Sequence, residues 1–264
     1  MVTPGLRATK KEQARRTIAT TALTLFLEHG FEEVSVAQIA QAAGVSKMTV
    51  FNYFPAKEDL FFEFIHPVMP DLAGAVRGRR DGEAPITAIR RFLQAELERR
   101  AEWTGLHDGV AQFSALIFRS PTLISGLDRL WRERERELTA VFAEAVGVTP
   151  DPRGQPDHLA EILTRPGHGS APDRSAGIAA GPVAPSSETV ILRVVVGQVL
   201  AAIQTLILVN QFRQSTGMTA AETAALSLAE CRTTFELLEG GLSGYGTEDA
   251  DPAGLRAPRA RRTT

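Results

Sequence analysis

A single cysteine, Cys231, stands in 264 residues. An intrachain disulfide is therefore impossible, and a thiolate zinc cluster is excluded. An excess of either charge is also missing: Lys and Arg total 29 against 31 Asp and Glu, a net charge of −2. Any contact with nucleic acid must then be a local feature rather than a property of the whole chain. The histidines are few and scattered, at His29, His66, His107, His158 and His168, with no ligand spacing such as H-E-x-x-H, so no metal site is expected. No glycine-rich phosphate loop and no nucleophile elbow occur. With no activated nucleophile or acid–base pair in sight, we expect no enzyme and no cofactor. No apolar run follows the basic start MVTPGLRATKKEQARR, so no secretory signal is expected and a reducing, cytoplasmic setting is.

What remains has ordinary globular composition, 44% hydrophobic and 23% charged. One long apolar run, Val190 to Val209 (VILRVVVGQVLAAIQTLILV), has the length of a membrane span. Arg193, Gln198 and Gln204 interrupt it, and a charge at membrane depth is costly. The reading carried forward is a helix covered on nearly all sides, by its own bundle and by a partner, with no membrane involved.

No run of alternating strands is visible, and the fold class is all-α. Residues 1–9 read as a loose basic arm. Lys10–His29 is helical, with Ile18, Ala22, Leu25, Phe26 and His29 on one face, and Gly30 stands at its C-cap. Ser35 and Ser46 are placed to cap two short helices, and Pro55 stops the second. Helices follow over Lys57 to about Leu72, Pro85–Trp103, 107–119, Pro121 to about Val146, 188–215 and 219–239. Between them, 147–187 is rich in Pro, Gly and Ala and reads as a flexible segment, with two helical turns at most over His158–Thr164. The tail from residue 241, with Arg256, Arg259, Arg261 and Arg262, reads as disordered.

The informative stretch is Ser35–Leu60, SVAQIAQAAGVSKMTVFNYFPAKEDL. Two short helices joined at a glycine make a helix-turn-helix pattern. Ala40 is small where the helices cross, and Gly44 takes the positive φ of the turn. Ile39, Ala43, Val45 and Val50 fill the angle between the helices. Lys47, Met48, Thr49 and Asn52 then face outward, where a major groove can receive them.

From about Arg16 to Leu60, including FLEHGFEEVSVAQIA and the closing FPAKEDL, the chain resembles the TetR family of bacterial transcriptional regulators. The resemblance implies an N-terminal three-helix DNA-binding domain over 1–56. It further implies a helical ligand-binding and dimerisation domain over 57–240. Lys47, Met48 and Asn52 would face base edges of double-stranded operator DNA. Ser46, Thr49 and Tyr53 would touch phosphates, and Ser35 joins this contact set. Lys57 would bind phosphate at the start of the next helix; the alternative is that it merely caps charge on its own chain. Phe51 stands where the family often has Tyr, which removes a hydroxyl and leaves Phe51 to pack or to touch a sugar. The arm residues Arg7, Lys10, Lys11, Arg15 and Arg16 would add phosphate or minor-groove contacts.

A small hydrophobic effector is expected in the C-terminal part. Its expected contacts are drawn from Phe92, Trp103, His107, Phe113, Trp131, Gln198 and Gln204, with Phe118 and Phe142 as further aromatic candidates. The whole then reads as a homodimeric, ligand-responsive repressor. The rival is a constitutive DNA-binding scaffold whose C-terminal body only dimerises or recruits a protein partner.

Overall fold

The computed structural model describes residues 6–107, 109–149 and 187–242, without the side chains of 6–9 and 242. All regular structure among them is helical: α1 (Leu6–His29), α2 (Val36–Ala42), α3 (Lys47–Tyr53), α4 (Lys57–Ile65), α5 (Leu72–Arg77), α6 (Pro85–Glu98), α7 (Val110–Phe118), α8 (Pro121–Val146), α9 (Ser187–Ser215) and α10 (Ala220–Leu242). Short 3-10 turns lie at His66–Val68 and Glu102–Thr104. The flexible segment and helix expected within 147–187, with His158 and His168, fall outside the described residues from 150 to 186. The arginine-bearing tail does so from 243 onward.

Several boundaries differ from expectation for physical reasons. The basic arm is helical from Leu6, so α1 takes in part of what read as loose. The helix expected from Lys57 to Leu72 breaks after Ile65, because Pro67 and Pro70 lack the N–H that would continue it. The helix expected to reach Trp103 ends at Glu98. There Arg100 adopts a left-handed φ of 52°, and Ala101 N donates to Glu96 O at 3.0 Å. A non-glycine residue in that conformation carries no composition signal.

By its packing the chain divides into two compact units. The first comprises Met1–Asp71, Ala95–Glu133 and Thr205–Glu230. Its core joins Ile18, Ala22 and Phe26 of α1 to Ile39 of α2 and to Val50 and Phe54 at α3. Leu60, Phe61 and Ile65 of α4, Ile117 of α7, and Leu123 and Leu130 of α8 complete it. This packing runs across the boundary expected after residue 56. Phe61 and Phe113 stack at 4.9 Å between ring centres. His29, expected on the buried face of α1, is exposed beside Glu28.

The second unit comprises Leu72–Gln94, Arg134–Gln204 and Cys231–Thr264. Its buried side chains include Val76, Ile89, Leu138, Phe142, Val196, Val199, Ile203 and Phe235. Cys231 is buried among them, and burial pushes its thiol up to about 11. A thiol so raised stays protonated and inert at neutral pH.

One position in the first unit depends on having no side chain. A Cβ at Gly126 of α8 would run into the ring of Phe62. That ring is buried. Gly126→Ala should lower stability by about 1–3 kcal/mol, the usual cost of overfilling a packed core. Combining it with Phe62→Leu should cost less than the sum of the two single changes, as read by urea denaturation. Additive costs would mean that the two residues do not share this space.

Candidate nucleic-acid interface

The α2–α3 pair is built by local chemistry. The Ser35 hydroxyl accepts from Gln38 N at 3.3 Å, and the Gln38 side chain accepts from Ser35 N at 2.8 Å, a complete capping box. At the far end Gly44, with φ of 67°, turns the chain, and Val45 N donates to Ala40 O at 2.9 Å. Ser46 then caps α3 by accepting from Thr49 N at 3.0 Å. Ile39, Ala40 and Val50 are buried between the helices, with Ala43 and Val45 packed against them.

With Val50 and Phe54 turned inward, α3 presents Lys47, Met48, Phe51 and Asn52 to solvent as one face. Positions 47 and 51, and 48 and 52, are four apart and stack along that face. Phe51 lies outside the core and is 44% exposed. Thr49 is half-buried, and its hydroxyl lies 2.8 Å from that of Ser46. Tyr53 is half-buried against the core, and Phe54 is wholly inside.

Two of the expected DNA cations are turned inward. Arg15 does not belong to a free arm. Its guanidinium donates to Glu63 of α4 (Nε to Oε1, 2.7 Å) and to the Tyr53 carbonyl (Nη1, 3.0 Å). It also lies 4.4 Å from the centre of the Phe54 ring. The hydrogen bond to Glu63 raises its pKa further above the ordinary arginine value. Lys57 sends its ammonium onto the carbonyls of Phe31 (2.9 Å) and Val34 (3.2 Å), and 4.3 Å from the centre of the Phe31 ring. These contacts hold the ammonium on its own chain. Arg16 pairs with Glu12 at 3.0 Å on the exposed face of α1, and Lys10 and Lys11 are exposed.

The expected effector contacts are shared between the two units. Trp103, His107, Phe113 and Trp131 fall in the first unit, and Phe92, Gln198 and Gln204 in the second. Gln198 is exposed, and so is Phe118, whereas Phe142 is plain core. Trp103 is fixed by donating from Nε1 to Glu96 at 2.6 Å. Sequence reasoning missed a cavity of about 590 Å³ in the first unit. Residues Phe26 to Glu33, with Gln112, Ala115, Leu116, Arg119 and Ser120, line it. Its floor is a turn and its wall a helix flank, and no local pattern announces such a juxtaposition.

The comparisons with known proteins agree with this geometry. The profile described as "Bacterial regulatory proteins, tetR family" matches residues 18–64, from α1 into α4. The "HTH-type transcriptional regulator TcmR" of Streptomyces glaucescens is 31% identical over 164 residues, 61% of this chain and 72% of that protein. The chain belongs to the TetR family. It is a DNA-binding transcriptional regulator, and α2–α3 is its helix-turn-helix. The "HTH-type transcriptional regulator RutR" of Escherichia coli K12 is 31% identical over 96 residues, 36% of this chain and 45% of that protein. Among solved structures, NalD of Pseudomonas aeruginosa, described as the secondary repressor of the MexAB-OprM multidrug efflux pump, overlays with a TM-score of 0.47. It is 18% identical, covering 86% of this chain and 97% of that one.

Two expectations follow from the inward cations. Lys57→Met should lower stability by about 1–3 kcal/mol, since it strands carbonyls that a charged donor had satisfied. The slope of log affinity against log salt should stay unchanged, whereas a fall of about one unit would restore the phosphate contact. Acid sensitivity should trace to Glu32. The Ser120 hydroxyl, 2.5 Å away, then Thr122 and the charge of Lys57, hold its carboxyl below the ordinary 4.5. A lowered native pKa means stability that is present above 4.5 and lost as pH falls through the lowered value. Ser120→Ala should flatten that part of the stability–pH curve, measured by denaturation between about pH 3 and 6.

Proposed function

We propose that the protein is a cytoplasmic repressor that binds a palindromic operator as a homodimer and leaves it when a small, largely hydrophobic effector binds. The observation that carries the dimer is a stripe on α9. Val190, Val194, Gln198, Ala201, Thr205, Leu208 and Phe212 are all exposed, at steps of three and four residues. One face of the helix is therefore open along its length, while Leu192, Val196, Val199, Ile203 and Leu206 on the other sides are buried. Leu226 and Leu237 of α10 are exposed as well. Scattered apolar residues on a surface need no partner, but a continuous stripe does. A second copy packed on it by a two-fold axis supplies the symmetry that two half-sites require. Val199 and Leu206 belong to the interior of their own chain and take no part.

The effector reading is supported by buried polar atoms in the first unit. Ser114 Oγ, Asn210 Oδ1 and Ser227 Oγ are buried with no hydrogen-bond partner. Such atoms are normally satisfied, and a ligand with a few polar groups on an apolar body meets that need. Half-sites lie about 34–36 Å apart on one face of DNA, so a shift of a few ångströms between protomers prevents both from docking. Asn52, exposed on α3, takes adenine N6 and N7 in the bound state.

Light scattering should report twice the 28.5 kDa chain mass. Val194→Glu combined with Phe212→Glu should give a helical monomer that binds operator weakly. A wild-type monomer at micromolar concentration that holds a full operator tightly would overturn the dimer. Asn52→Ala should relax preference at one base pair per half-site by about 1–3 kcal/mol and leave binding to random duplex unchanged. Equal losses on both DNAs would remove Asn52 from base reading.

A further inference from the structure

The most exposed large apolar side chains near the DNA-reading face are Met48 and Phe51. Met48 is 69% and Phe51 44% exposed, and neither belongs to the core around α1–α4. They lie three residues apart on α3, so they sit side by side one turn along the helix. Lys47 and Asn52 flank them on the same face. The centre of the reading surface is thus apolar, and its edges are polar.

This arrangement limits what the centre can read. A thioether and a phenyl ring cannot pair with the donors and acceptors of guanine, cytosine or adenine. The major groove offers one apolar feature on a base edge, the C5-methyl group of thymine. A polar base edge facing these side chains would lose its water and gain nothing in return. Phe51 adds to the argument by having no polar atom on its side chain.

We propose that Met48 and Phe51 form an apolar reading pair for thymine methyl groups, so that each operator half-site carries thymine under the centre of α3. The proposal rests on α3 being the recognition helix. It goes beyond that reading by assigning the operator chemistry and the two residues that select it. Contact is by surface burial alone, with no bond made or broken.

The test uses the full-length protein and an operator selected with it from random duplex DNA. Each thymine is then replaced in turn by deoxyuridine, which keeps every hydrogen-bonding group and loses only the methyl. Fluorescence anisotropy should show affinity falling about fourfold for each contacted methyl removed, the factor expected for one buried carbon. Met48→Ala and Phe51→Ala should each lose the thymine-over-uracil preference at their own position. Both should keep wild-type helicity, because neither side chain is in the core. Met48→Leu should retain the preference.

A uracil-substituted operator bound as tightly as the thymine operator would overturn the proposal and leave DNA recognition by α3 standing. So would a methyl preference that survives in the double variant. If selection yields no preferred sequence and the wild type binds all duplexes alike, the recognition-helix reading fails, and this proposal fails with it.

Discussion

One guanidinium ties the end of α3 to the helices behind it. Arg15 joins three helices at once: it is carried by α1, donates to Glu63 of α4, and closes on the Tyr53 carbonyl and the Phe54 ring at the end of α3. A planar fork is suited to this, because its donors point in fixed directions while its face lies on an aromatic ring. The tie adds to the Ser46 cap and to the packing of Val50 and Phe54. Helices this short are unstable alone and take their stability from packing. The reading face of α3 inherits its precision from a residue that never reaches the DNA-facing side.

A second inward cation completes the scaffold. Lys57 gathers the carbonyls of the turn after α1, where helix termination leaves acceptors without partners. Glu32 of the same turn is held by Ser120, whose hydroxyl also accepts from Leu123 N at the start of α8. The start of α8 is thus bonded to the turn that precedes α2. Gly126 brings the same helix against Phe62 of α4. In the first unit, then, elements distant in sequence are clamped to the helix-turn-helix by specific bonds as well as by apolar contact. Some of its basic residues brace the fold, and others, such as Lys47, are exposed.

Helix α9 meets two environments along its length. Its buried stripe holds large aliphatic residues, and its open stripe alternates Val, Ala, Leu and Phe with Gln and Thr. A helix apolar on nearly all sides and one that crosses a membrane look alike by hydropathy, and α9 is apolar and long enough for either. Leu192, Val196, Val199, Ile203 and Leu206 are covered by other parts of the chain, while the opposite stripe is open.

The amino-acid sequence by itself determined what is local. Capping serines, Gly44 and the apolar spacing of α2–α3 act within a few residues of one another, so the helix-turn-helix was legible, and most long helices were legible from their 3.6-residue period. Tertiary structure alone decided what depends on distant partners. An arginine near the N-terminus looks the same whether it meets phosphate or Glu63, 48 residues away. Lys57 looks the same whether it faces DNA or the carbonyls of Phe31 and Val34. Phe51 could not be sorted from Phe54 by residue type, although one is exposed and the other buried. The cavity between the α1 turn and α7 was unreadable for the same reason: its walls are separated by about 80 residues of chain and meet only through packing.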